Sequence, residues 1–81
     1  MYFVYLLQSL TDSTKHYVGF TAKGIEVRLD EHNAGRSIHT NKHKPWKCVV
    51  HIAFEDKQKA EKFERYLKQG SGHAFAKKHF W

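Results

Sequence analysis

The stretch Tyr2-Phe3-Val4-Tyr5-Leu6-Leu7 is a continuous apolar run with no polar side to turn toward water. It constrains the fold more than any other feature. The run is far too short to span a bilayer, and its lack of alternation predicts a strand buried on both faces at the centre of a sheet. A chain of 81 residues has room for one compact domain, 1–81, built around such a strand. With 41% hydrophobic residues and one proline, the rest of the chain has the composition of a folded domain rather than of a disordered tail.

Around the central strand the other elements follow from local pattern. Thr11, Asp12, Ser13 and Thr14 supply turn chemistry, and His16-Tyr17-Val18-Gly19-Phe20 reads as a second strand forming a hairpin with the first. A glycine inside a strand asks for a reason, and Gly19 predicts close approach of another group. From Gly24 to Ala34, Ile25 and Leu29 recur at helical spacing, with Thr21 as an upstream cap and Gly35 as the stop. Residues Arg36 to Pro45 carry Arg36, His39, Lys42, His43 and Lys44 without apolar periodicity, which reads as an exposed basic loop.

Trp46 to Phe54 alternates imperfectly but is rich in β-branched and aromatic residues, and is the third strand. Asp56 caps a helix running to about Gln69, with Ala60, Phe63 and Leu67 on one stripe; Gly70 ends it and Ser71 caps a last helix containing Phe75 and Phe80. The order is β-β-α-β-α-α. It predicts an α+β fold with a three-stranded antiparallel sheet flanked by helices.

Fourteen Lys and Arg against eight Asp and Glu leave a net charge of +6, before any contribution from seven histidines. Such a field suits a polyanion, and nucleic acid gains most from it because each neutralised phosphate releases counterions. The lone Cys48 allows no internal disulfide and reads as a small buried hydrophobe in a reducing compartment. No basic segment precedes the apolar run and no cleavage site follows it, so a soluble, cytoplasmic protein is expected.

Glu64 lies within or beside the apolar stripe of its helix, where a carboxylate is costly unless paired or bound to a metal. Two readings stand: an ion pair with Lys68 at i+4 or with an arginine of the first helix, or a metal ligand. Arg28 and His32 are one helical turn apart and share a face suited to a phosphate. Tyr5 and Tyr17 fall on paired strands, where they either pack against each other or, beside cations, acquire lowered pKa values useful for general-base work. Zinc held by His39, His43 and Cys48 is disfavoured, since a closed site wants four ligands and no CxxC is present. Gly70-Ser71-Gly72 serves more economically as a stop and a cap than as a phosphate cradle.

At these residues the chain resembles the GIY-YIG nuclease superfamily, in particular its small stand-alone bacterial members, which are similar to the N-terminal domain of the excinuclease C subunit. Phe3-Val4-Tyr5-Leu6 stands at the first signature and keeps its tyrosine; Tyr17-Val18-Gly19 stands at the second; Arg28-Leu29 with Glu31-His32-Asn33 matches the helix motif. Ala60 to Lys68, followed by Gly70-Ser71-Gly72, resembles the C-terminal half, with Glu64 at the metal-carboxylate position. The chain departs from relatives that place a lysine directly after the second signature: Phe20 stands there, and Lys23 is the nearest substitute.

The resemblance implies a metal-dependent endonuclease hydrolysing DNA phosphodiesters, in repair or recombination. Tyr17 would deprotonate the attacking water, assisted by Tyr5 and His32, Arg28 would clamp the scissile phosphate, and Glu64 would hold Mg2+ or Mn2+. The rival functions are a non-catalytic nucleic-acid-binding module on the same fold and, more remotely, a protein-interaction domain. A chain this short leaves DNA choice to DNA shape, to a homodimer or to a partner protein.

Overall fold

The computed structural model describes all residues, 1–81. Three strands, β1 (Tyr2–Ser9), β2 (His16–Thr21) and β3 (Trp46–Phe54), form one antiparallel sheet in the order β2-β1-β3. The helices are α1 (Ile25–Asn33), α2 (Lys57–Leu67) and α3 (Gly70–His79), so the element order β-β-α-β-α-α and the α+β architecture are those the sequence predicts. The apolar run is the central strand. Val4 and Leu6 pack with Ala60 and Leu67 of α2 and Ala76 of α3 on one face. Tyr5 and Leu7 pack with Trp46, Ile25 and Leu29 on the other, under α1.

The imperfect alternation of β3 has a structural cause. Leu6 pairs with Val50 but Leu7 pairs with Cys48, so Val49 is the extra residue of a β-bulge. The bulge inverts the side-chain phase of the strand. Val50 and Phe54 therefore face α2, while Cys48 and Trp46 face α1. Cys48 is free and half-buried, and burial raises its thiol pKa.

Helix termini follow the expected chemistry in part. Gly35 has φ 79°, and Gly35 N–H donates to His32 O while Arg36 N–H donates to Glu31 O, the paired bonds of a Schellman stop. Asp56 caps α2 by accepting from the N–H groups of Gln58 and Lys59. Thr21 does not cap α1: its hydroxyl accepts from Lys23 N–H two residues on, and Gly24 occupies the cap position. The expected basic loop contains a short 3-10 turn at Asn41–His43.

Gly70 is the first residue of α3 rather than a stop, with Gln69 at the cap and Ser71 already inside the helix. The glycine that matters there is Gly72, whose Cβ would fall 1.7 Å from the carbonyl oxygen of Tyr66. Only a residue without a side chain lets α3 meet the end of α2 so closely.

Candidate active site

The α1 face of the sheet assembles a buried polar chain. Tyr5 is 2% exposed, and its phenol lies directly over Gly19 of the paired strand, the close approach that a glycine within β2 predicts. From α1, Arg28 Nε–H donates to the Tyr5 hydroxyl at 3.2 Å and His32 Nε2 meets the same hydroxyl at 2.8 Å. The other imidazole nitrogen, Nδ1, lies 2.6 Å from the hydroxyl of Thr40, and the carbonyl of Thr40 accepts from the indole N–H of Trp46 at 2.8 Å. His32 and Thr40 are completely buried. The bulge in β3 is what delivers Trp46 to this face.

The protonation states follow from burial. Desolvation, with a smaller contribution from the charge of Arg28, depresses His32 to about 4, so the imidazole is neutral at physiological pH. Desolvation likewise outweighs the neighbouring guanidinium at Tyr5 and raises its phenol to about 12. The lowering expected of a tyrosine beside cations therefore fails at Tyr5, because the site is too dry and one of its two neighbours carries no charge. Being neutral, Tyr5 donates its proton, and His32 Nε2 is the acceptor in reach. Nδ1 then carries the imidazole hydrogen and donates to Thr40, which sets the tautomer.

Arg28 stays cationic. Burial works to lower its pKa, but bonds to Glu31 and to Tyr5 outweigh it and the net shift is upward. Its NH1 group pairs with Glu31 at 3.0 Å, and Lys23 pairs with the other oxygen of Glu31 at 2.6 Å. Lys23 and Arg28 together hold the Glu31 carboxyl below its usual range. Lys23, the substitute offered for the lysine after the second signature, is thus engaged with Glu31, and its side chain is 58% exposed.

Tyr17 completes the cluster and is its more accessible phenol. Its ring lies 6.3 Å from that of Tyr5 and 5.2 Å from that of His32, measured between centroids. Glu64 arrives on α2 and ion-pairs with Lys68 at 2.5 Å; the Lys68 ammonium stands 5.8 Å from the centre of the Tyr17 ring. The charge of Glu64 is felt at Tyr5, where it adds to the upward shift. The i+4 pair with Lys68 that the sequence offers for Glu64 is formed.

Tyr5, Arg28 and His32 are therefore directly joined, Tyr17 packs against two of them, and Glu64 is tied to the group through Lys68. The sequence of the GIY-YIG catalytic domain family matches residues 1–78 of the chain. The chain belongs to the GIY-YIG superfamily. A comparison with curated proteins finds no significant match. Within the GIY-YIG frame the glycine of the second signature has a plain physical role, since Gly19 makes room for the tyrosine of the first.

Two positioning residues of this GIY-YIG domain escape sequence reasoning. Thr40 sits in a polar loop with nothing local to mark it, and its value comes only from meeting His32 across 8 residues of chain. Asn33 grips the start of β3, accepting from Trp46 N–H at 2.6 Å and donating to Trp46 O at 3.1 Å. Its place beside His32 in the helix motif was the one available signal.

Proposed function

We propose that this GIY-YIG domain is a metal-dependent endonuclease that hydrolyses DNA phosphodiester bonds, with Tyr5, Tyr17, Arg28, His32 and Glu64 as its working residues. The observation that carries the reading is the single hydrogen-bonded chain Arg28–Tyr5–His32–Thr40, which holds a cationic guanidinium on Tyr5 while the half-buried ring of Tyr17 packs against Tyr5 and His32. A nuclease-type fold and a net charge of +6 agree with a phosphodiester substrate.

In this scheme Arg28 binds the scissile phosphate and stabilises the charge that develops on it, its Nε–H held in aim by Tyr5 and its NH1 by Glu31. Tyr17 acts as the general base, its phenol oxygen taking the proton of the attacking water while the water oxygen bonds to phosphorus. The bond from phosphorus to the 3′ oxygen breaks, and that oxygen takes its proton from water. Tyr5 and neutral His32 do not cycle protons in this account; they lock Arg28 and pack the Tyr17 ring.

No group of three or more His, Cys, Asp or Glu side chains converges to form a cage. One carboxylate, Glu64, fits a hard divalent ion such as Mg2+ or Mn2+, which keeps most of its waters and takes further oxygens from the phosphate. Glu64 would hold the ion, which when bound neutralises charge at the leaving oxygen. Lys68 must give way for this. It is a half-exposed lysine whose pairing with Glu64 is worth only about 0–1 kcal/mol.

Cleavage of supercoiled plasmid in Mg2+ against EDTA tests the scheme. Glu64→Gln and Arg28→Ala are expected to lower nicking at least about 100-fold while leaving the circular dichroism spectrum unchanged; full activity in both variants would remove the assignment. The engagement of Glu64 by Lys68 favours a second reading, a DNA-binding module without turnover. That reading predicts DNA binding unchanged by chelator and no nicking under any metal.

A further inference from the structure

Beside Tyr17 a second feature is left unused by this chemistry. A cleft runs along the open edge of β2, between that strand and α3, in two connected parts of about 310 and 460 Å³. Tyr17 and Lys68 line the end nearest the active site, and His16, His73 and Trp81 line both parts, with Lys77 at the far end. No Asp or Glu side chain lines either part. His73, Lys77 and Trp81 recur every fourth residue, so one face of α3 and its terminus presents an imidazole, an ammonium and an indole to the cleft.

The aromatic pair in it is already arranged for stacking. The rings of His16 and Trp81 are 3.8 Å apart between centroids and inclined by 2°. Trp81 is anchored on the core formed by Val4, Leu6 and α2, whereas His16 is exposed, so the outer face of the pair is open to a third planar ring. Inside a duplex both faces of every base are covered by its neighbours, and a duplex end frees only one face of its last pair. An unpaired, unstacked base offers a face to His16 most readily.

We propose that this cleft holds one unpaired nucleotide of the DNA strand being cut, its base stacked on the His16–Trp81 pair and its phosphate bound by Lys77 and His73. The inference rests on the nuclease reading and narrows it: the substrate class is DNA with unpaired nucleotides next to the scissile bond. Continuity through Tyr17, which lines the cleft and packs on the catalytic cluster, places that nucleotide adjacent to the bond cut. Volumes at the lower end of those of small-molecule sites fit one nucleotide.

The test uses the full chain carrying Glu64→Gln, so that bound DNA survives, and compares fluorescence anisotropy of labelled oligothymidylate and of a blunt duplex. Oligothymidylate is expected to bind more tightly and to quench the emission of Trp81, with Trp46 buried and unaffected. Trp81→Ala and His16→Ala should each weaken oligothymidylate binding about 5- to 150-fold, the effect of losing one base–aromatic stack, and duplex binding much less; Trp81→Phe should retain most of it. His16 is exposed, so its variant keeps the test decisive if Trp81→Ala fails to fold. Equal loss for both DNAs, or no loss for either, overturns the subsite while plasmid nicking by the unmodified chain preserves the nuclease reading. Absence of binding to both DNAs together with absence of nicking overturns the two readings at once.

Discussion

Substituting Gly19 by alanine isolates the contact that the two signatures share. The backbone at Gly19 is not left-handed, so alanine meets no conformational penalty there. Its Cβ would lie 2.4 Å from both Cζ and the hydroxyl oxygen of Tyr5, against an ordinary carbon contact of about 3.5 Å, and the ring must retreat by about 1 Å. Overpacking of that kind costs about 1–3 kcal/mol. The retreat also strains the bonds from Tyr5 to Arg28 and His32, worth about 1 kcal/mol each, while the stiffer unfolded chain returns about 0.4–1 kcal/mol.

The expected net loss is therefore about 2–4 kcal/mol, out of the total of about 4–12 kcal/mol usual for a domain of this length. Thermal denaturation should register it as a fall of at least about 8 °C in Tm. Plasmid nicking should drop about 100-fold, because Arg28 loses the phenol that aims it. The control is the same substitution in a Tyr5→Leu background, where the clash is gone and Gly19→Ala should be neutral or stabilising. An equal cost in both backgrounds would refute the ring clash as the reason for the glycine.

Two further outcomes follow from the same network. The unfolded chain protonates His32 near pH 6.5 and the folded chain only near 4, so the stability this side chain contributes is complete above about 6.5, declines as pH falls through that window and is gone below it. At most about 3 kcal/mol is involved, and urea titrations from pH 7 to 4 should show a shallower decline for His32→Gln; an identical slope would mean that His32 charges freely in the fold. Asn33→Ala leaves the N–H and C=O of Trp46 without their partner and should cost about 1–3 kcal/mol, read as a lower urea midpoint with unchanged slope; no shift would show that water replaces the amide at no cost.

Most of the secondary structure was legible because it answers to short-range pattern. The unbroken apolar run of Tyr2 to Leu7 needs two covered faces, the stop at Gly35 needs a left-handed backbone, and Asp56 needs only the two N–H groups that follow it. Where pattern misled, a packing demand had overridden it. Gly70-Ser71-Gly72 looked like a stop and a cap, but Gly72 is small because α3 presses on the backbone of Tyr66, a contact with no local signature. The phase of β3 was blurred for a similar reason, since the bulge at Val49 exists to put Trp46 under α1.

Residue types and their order were thus determined by the sequence itself: a central strand, a glycine opposite a tyrosine, an arginine and a histidine one turn apart, a carboxylate on an apolar stripe. Their electrical states were not. Whether a phenol beside a guanidinium goes up or down depends on how much water remains, and only the closed α1 face, dry around Tyr5 and His32, raises one and depresses the other. Likewise the roles of Thr40, Lys68 and the His16–Trp81 pair arise from groups far apart along the chain and adjacent in space. Local periodicity carries no information about such distances, because they are fixed by how the helices seat on the two faces of the sheet.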